Sequence, residues 1–456
     1  MSALNQSVLT SAKGFSVHVE VLQSSKSSAA KSDIETCVRS ILREKSAIYN
    51  NHVFHRYHFS SRFLDDHVEK ISIFAPSYRH NEKIPLTSGL VSSCRIHIYR
   101  VISDDPAMEA LEYEADDDAP PAGRHWVLPN KEFEGLWENL VFDSDVKEQM
   151  LNYAETMLLF ADRKVDPYVV TCNRMLLFHG PPGTGKTSLC KAIAQKLCIR
   201  MNNRYRSGRF LEVNSHSLFS KWFSESGKLV TKMFAKIHEL LEDESSLLIV
   251  LIDEVESLTV ARKQALSGNE PSDAVRVVNA LLTQIDYIRR WPNVLVLTTS
   301  NIPEAVDPAF LDRADIKQYI GVPSSAAIYS IFYEAILELG RAGIIAATSV
   351  NLSRTLFADI VQGHGEQESV RLTTKLSQIS QQCTGLSGRT IRKLPLLAHA
   401  FKLAPHESVT LEEFIDALAY AASKQLENGK NSENVEIAPE TNNLLPLSPG
   451  RNATVA

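Results

Sequence analysis

The chain has 456 residues, of which 44% are hydrophobic and 22% charged, with a formal net charge of −6. At roughly 100–200 residues per domain it holds two to four domains, and its composition excludes a collagen, a coiled-coil rod and a mostly disordered chain. The mild acidity gives no support to a polyanion binder, and six cysteines with no Cys-x-x-Cys spacing read as reduced structural thiols rather than a disulfide scaffold.

Met1 to Gly14 is polar and Ser-rich without an apolar h-region, so no secretory signal is expected. The longest apolar run, Leu247 to Ile252, is far shorter than the ~20 residues that span a bilayer. The expected location is nucleus and cytoplasm. Residues 1–112 read as a small α+β module. Alternation predicts strands over Phe15 to Leu22, Val68 to Phe74 and Cys94 to Ile102. A helix is expected over Ser32 to Ser46, with Ile34, Cys37, Val38, Ile41 and Leu42 on one face. The aromatic and histidine cluster from Phe54 to Phe59, with His52, has the wrong spacing for zinc. It reads as packing or as a strand or loop on a binding surface of the small module.

Glu112 to Arg124 is acidic with paired prolines, and residues 113–132 are expected to be a solvated linker. Residues 133–323 alternate helical patterns with short apolar strands at Arg174 to Phe178, Phe210 to Asn214, Leu247 to Ile252, Val294 to Thr298 and Ile316 to Ile320. This predicts an α/β domain, a mostly parallel sheet with helices on both faces. Residues 324–427 read as wholly helical, and 428–456 as a disordered tail in which Ser448-Pro449 is a candidate phosphosite.

Gly180, Pro181, Pro182, Gly183, Thr184, Gly185, Lys186 and Thr187 fit G-x-x-x-x-G-K-[ST], followed by Ser188. An apolar strand leads in and a helical pattern leads out, the context a P-loop requires. Glycines let backbone N–H groups turn inward around phosphate oxygens. Lys186 is expected to reach the β/γ phosphates of ATP, and Thr187 to hold Mg²⁺. The run Leu248 to Ile252 then ends in Asp253 and Glu254. Asp253 is expected to hold Mg²⁺ through water, and Glu254 to polarise the attacking water.

Val294 to Ser300 leads to Asn301, whose amide can orient the water. In the segment Asp307 to Asp315, Arg313 reads either as an arginine finger or as an ion pair with Asp312 or Asp315. Arg276, Arg289 and Arg290 are weaker competitors for the finger.

These motifs in this order resemble the AAA+ ATPase module: a P-loop NTPase domain with a helical lid. Gly385 to Arg389 resembles the family's second sensor, which implies that Arg389 touches the γ-phosphate. Glu134 to Trp137, with Asn139 to Phe142, stand where the family wraps adenine. Lys221-Trp222-Phe223 stands where AAA+ rings carry a pore loop, so Trp222 and Phe223 are candidate grips on an unfolded segment. Here the sequence is Trp-Phe-Ser, where most such loops have an aromatic, an aliphatic and then a Gly. Ala265 to Asp273 is the candidate second loop.

The runs Ser215 to Lys228, Asp253 to Thr259 and Arg313 to Ile320 resemble the pachytene checkpoint family more narrowly. That resemblance covers Glu134 to Glu427 well, and the first 112 residues in general plan. It implies a homo-hexamer that opens HORMA-domain proteins of the spindle checkpoint and the meiotic chromosome axis, with a HORMA-like adaptor. Residue-level reading leaves two other classes open: a nucleic-acid motor or clamp loader, and an ATP-gated scaffold without essential turnover. The absence of a Lys/Arg stripe beside aromatics weighs against the motor.

Overall fold

The computed structural model describes residues 17–75, 82–103, 107–109, 123–214, 226–257, 273–346, 352, 367–403 and 408–435. They fall into two compact units, Met1–Val322 and Pro323–Ala456. Period-2 patterning builds the first sheet. Its chain order is β1 (His18–Gln23), α1 (Lys31–Glu44), β2 (Ala47–Tyr49), β3 (Val53–His55), α2 (Arg62–His67), β4 (Val68–Phe74), β5 (Lys83–Pro85), α3 (Ser88–Ser93) and β6 (Arg95–Tyr99). The strand order is β3-β4-β1-β6, with β2 and β5 forming a separate pair. Strand β1 is antiparallel to β4 and parallel to β6. Val19 and Val21 point to a core shared with Ile34, Val38 and Leu42 of α1. Their neighbours His18, Glu20 and Leu22 point the other way, yet are also buried.

Helix α1 stops at Glu44, short of the expected Ser46, because Lys45 is already extended and leads into β2. The strand expected over Cys94 to Ile102 shrinks to β6, and Ile102 instead bridges Asn130. Phe15 lies outside the described residues. In the histidine cluster Phe59 is buried and Phe54 packs on the module core, while Tyr57 is 78% exposed. Among the described residues, no group of three His, Cys, Asp or Glu is placed to hold a metal.

The large sheet contains β7 (Ala107–Glu109), β8 (Gly123–Leu128), β9 (Met175–His179), β10 (Ser207–Asn214), β11 (Ser246–Asp253), β12 (Val294–Ser300) and β13 (Ile316–Tyr319). Its order is β13-β9-β12-β11-β10-β8-β7. The first five strands in that order are parallel, and β8 and β7 are added antiparallel. The linker expected over 113–132 is therefore corrected, because residues 123–128 are a sheet strand. The alternation that buries Trp126 and Leu128 against β10 sits directly behind the proline pair, whose composition obscured it.

The helices between these strands are α4 (Leu136–Asn139), α5 (Val146–Asp162), α6 (Lys186–Arg200), α7 (Ser226–Leu241), α8 (Asp273–Ile288) and α9 (Pro308–Arg313). Central β11 shows why its run is apolar throughout. Leu248, Val250 and Ile252 face a core with α7 and α8. Leu247, Ile249 and Leu251 face a second core with α5 and α6. A strand covered on both faces has no solvent side, and each such buried side chain is worth roughly 1.5–3 kcal/mol.

Helix α6 is buried almost all round. One side packs on the sheet. Its C-terminal half meets the N-terminal module, where Ile199 contacts Leu22 and Tyr99. Lys196 is ion-paired with Glu20 and, at 3.0 Å, with Glu138; Arg200 reaches Glu20 at 3.5 Å and Glu155 at 3.4 Å. Glu20 and Arg200 side chains are each only 2% exposed.

Among its described residues the second unit contains α10 (Ser325–Arg341), α11 (Gln367–Gln382), α12 (Gly388–Lys402) and α13 (Leu411–Val435). Phe332, Leu376, Leu394 and Phe414 are buried in it. Residues 428–435 correct the expected disordered tail, since they continue α13. Once the packed turns of Leu411 to Ala422 have formed, each further residue adds a backbone hydrogen bond without a new nucleation cost. Residues 436–456, including Ser448, lie outside the described residues.

Candidate functional site

The C-terminal edge of the parallel strands carries the site, as in other open α/β sheets. Between β9 and α6 the chain must reverse tightly, and Gly180, Gly183 and Gly185 have φ of 140°, 74° and 95°. A side chain at Gly180 is excluded twice over, because its Cβ would lie 2.2 Å from the Ile320 carbonyl oxygen. Thr184 donates its hydroxyl to the Pro181 carbonyl at 2.9 Å, closing the loop. Lys186 Nζ donates to the carbonyls of Gly180 and Pro181, both at 2.8 Å. Pro182 is exposed, and Ser188 follows in the first turn of α6.

Thr187, at the start of α6, and Asp253, at the end of β11, meet across 66 residues of sequence. The Thr187 hydroxyl lies 3.0 and 3.2 Å from the two Asp253 carboxylate oxygens. Thr299 of β12 also donates to Asp253. A hydroxyl and a carboxylate side by side form an oxygen donor set suited to a hard divalent cation. Glu254 follows with φ 56°, a turn that lets its N–H donate to Thr299 Oγ1 at 3.1 Å. The Asn301 side-chain amide reaches Glu254 Oε1 at 3.4 Å. The same Asn301 offers its backbone N–H to Glu256 Oε1 at 3.0 Å.

Leu140 and Phe142 stand beside the loop, 3.3 and 4.0 Å from where a Cβ on Gly185 would sit. They form an apolar wall within the expected adenine segment, whereas Trp137 is core. His179, just before the loop, is tilted against Tyr319 with ring centroids 5.6 Å apart. Burial lowers its affinity for a proton below the ordinary histidine value.

Arg313 ends α9, a helix capped by Asp307, which accepts the Ala309 N–H at 2.8 Å. Its guanidinium is paired with Asp286 of α8, through Nε at 2.9 Å and a terminal nitrogen at 2.8 Å, and donates to the Ala309 carbonyl at 2.7 Å. The expected partners Asp312 and Asp315 are corrected to Asp286. Asp315 is instead occupied by the backbone N–H groups of Asn173 and Met175. The hydrogen bond from Arg313 holds Asp286 below the usual carboxylate range. Arg389 belongs to the helical unit, exposed in the first turn of α12 behind the cap Ser387. Trp222, Phe223 and the second loop up to Ser272 lie outside the described residues.

Sequence reading missed Thr299, Glu256 and Asp286. The first two had a signal, since Thr-Thr-Ser ends a strand beside Asp253 and Glu256 follows in Asp-Glu-Val-Glu. Asp286 had none, because its partner is set by how α8 packs beside α9.

Three family models match the chain. Residues 176–322 match the ATPase family associated with various cellular activities (AAA). Residues 324–426 match the TRIP13-like AAA+ ATPase lid C-terminal domain, and residues 12–104 the TRIP13 N-terminal domain. The pachytene checkpoint protein 2 homolog of Xenopus tropicalis is 49% identical over 422 residues, 92% of this chain and 95% of that one. The human homolog is 49% identical over 430 residues, 94% and 97% of the two chains. The solved structure of C. elegans PCH-2 aligns with a TM-score of 0.73 at 37% identity, covering 91% of this chain and 100% of that one. With a P-loop, an Asp-Glu strand end and a helical lid between those limits, the chain is an AAA+ ATPase and belongs to the pachytene checkpoint protein 2 family.

Proposed function

We propose that this ATPase is a Mg²⁺-dependent homo-hexamer that uses ATP hydrolysis to open HORMA-domain client proteins, delivered in part by a HORMA-like adaptor, in nucleus and cytoplasm. The observation that carries the reading is the near full-length kinship with pachytene checkpoint proteins, N-terminal domain and lid included. Thr187 and Asp253 would hold the cation, which when bound neutralises charge on the transferring phosphate. Lys186 and the backbone N–H groups of the loop bind and orient the phosphates. Glu254 takes a proton from the attacking water, and Asn301 fixes the direction of that carboxylate. Arg313 and Arg389 stabilise the phosphoryl group in transfer, Arg313 from a neighbouring subunit after it leaves Asp286. Trp222 and Phe223 grip the client.

Glu254→Gln keeps the shape of the site and removes the base. It should bind ATP, hydrolyse it at least 100-fold more slowly and retain clients. Affinity capture with that variant in ATP, followed by identification of the bound proteins, tests the reading. HORMA-domain proteins should dominate the capture. Dominance by nucleic acid, or unchanged hydrolysis, would overturn it.

A further inference from the structure

Glu256 has no part in the proposed chemistry, and its surroundings are unusual. It is 8% exposed, at the start of the helical segment that follows the catalytic strand. One carboxylate oxygen accepts the Asn301 backbone N–H at 3.0 Å, while the other is buried with no hydrogen-bond partner among the described residues. A carboxylate half-satisfied in the interior costs free energy. A serine or a hydrophobic residue would fill the turn without that cost. The contact closes a ring: Glu254 and Glu256 lie two residues apart just past the end of β11, and Asn301, just past the end of β12, touches both. Two further bonds tie the same strand ends, from the Glu254 N–H to Thr299 Oγ1 at 3.1 Å and from the Val255 N–H to the Thr299 carbonyl at 3.0 Å. The main chain is thus fastened to the catalytic turn up to Thr299 by backbone and hydroxyl contacts, and to the P-loop at Ser300, whose carbonyl accepts the Gly180 N–H at 3.2 Å. Beyond it, Asn301 is fastened to the catalytic turn by Glu256.

We propose that Glu256 is a positioning residue for ATP hydrolysis: it anchors the backbone of Asn301 so that the Asn301 amide meets Glu254. The inference rests on the hydrolytic roles assigned above to Glu254 and Asn301. It acts on geometry at the water and not on nucleotide binding, because Glu256 has no contact with the P-loop among those described. Loose placement of a group by about 1 Å costs on the order of 100-fold in rate.

The test is steady-state ATPase kinetics with nucleotide affinity measured separately. Glu256→Ala should lower kcat about 10- to 100-fold with KM and ADP affinity unchanged. Glu256→Gln, which keeps an acceptor oxygen in place, should retain at least a third of wild-type kcat. In an Asn301→Ala background, Glu256→Ala should have less than a twofold further effect. If Glu256→Ala does not fold, Glu256→Asp replaces it, since it withdraws the acceptor by about one bond length (~1.5 Å) while keeping the charge; the same fall in kcat is expected. Normal kcat in Glu256→Ala (or in Glu256→Asp where it replaces it), a loss confined to KM, or an undiminished effect in the Asn301→Ala background would each overturn the proposal. If Asn301→Ala alone hydrolyses ATP normally, the role of Asn301 fails first and takes this one with it. If Asn301→Ala is slow and Glu256→Ala is not, only the positioning role of Glu256 fails.

Discussion

Replacing Glu20 by Gln removes one charge from the junction between the N-terminal module and α6 and keeps the side chain's shape. Glu20 is the carboxylate shared by Lys196 and Arg200, and both cations are buried. Stripping a buried ion of its partner costs about 3–5 kcal/mol when nothing replaces it. Lys196 still has Glu138 at 3.0 Å and Arg200 still has Glu155 at 3.4 Å. Those remaining contacts bring the expected loss down to about 2–3 kcal/mol. The unit that contains the network runs from Met1 to Val322, and at ~2.1 cal/mol/K per residue its unfolding entropy is about 0.7 kcal/mol/K. The first unfolding transition should therefore fall by about 3–4 °C, read by differential scanning calorimetry. Limited proteolysis should cut earlier between the module and the large sheet. Adding Glu138→Gln strips Lys196 of both carboxylates, so the double variant should lose more than the sum of the singles. A shift below 1 °C with an unchanged cleavage pattern would refute the idea that this network fastens the module to the P-loop helix.

Two other outcomes follow from named contacts. Arg313→Ala should abolish most hydrolysis, whereas Asp286→Asn should cost no more than about 1 kcal/mol in stability, as a part-exposed pair does, and keep hydrolysis within a few-fold; equal losses in both would mean that the intramolecular pair, not a guanidinium donated to a neighbour, is what hydrolysis needs. The second concerns His18 and His97, which are hydrogen-bonded at 3.1 Å and buried beside Arg200 and Arg95. Burial lowers His18 to about 2 and His97 to about 4. The unfolded chain takes up these protons near pH 6.5 and the folded one does not, so stability falls with pH below that value by up to about 1.4 kcal/mol per pH unit per histidine. Denaturant titrations between pH 7 and pH 5 should show the fall, with Glu20 still ionised because Lys196 and Arg200 hold its carboxyl below its usual range. His97→Gln should flatten part of it, and an unchanged slope would count against this assignment.

What was legible in the sequence is what lies close together along it. The P-loop is eight consecutive residues between a strand and a helix. The Asp253–Glu254 pair ends a run that only a strand covered on both faces would carry. The helical spacing of Val230, Phe234, Ile237 and Leu241 likewise marks a face. These signals are local because backbone periodicity repeats over a few residues. Composition misled where it outweighed periodicity: the acidic and proline-rich stretch before Trp126 hid β8, and the polar run after Glu427 hid the end of α13.

The pairings were decided only in three dimensions. Thr187 meets Asp253 because the strands before their turns are both in the parallel sheet, although 66 residues separate them. Arg313 chooses Asp286, 27 residues earlier on another helix, over the carboxylates beside it. Glu20 finds Lys196 across 176 residues, since α6 covers the second face of the small sheet. An ion pair or a hydrogen bond depends on distance and direction between side chains, and packing sets both. By itself the sequence therefore determined a nucleotide-hydrolysing chemistry and the elements that carry it. The tertiary structure decided which groups restrain one another, because that depends on which helix faces lie against which strands.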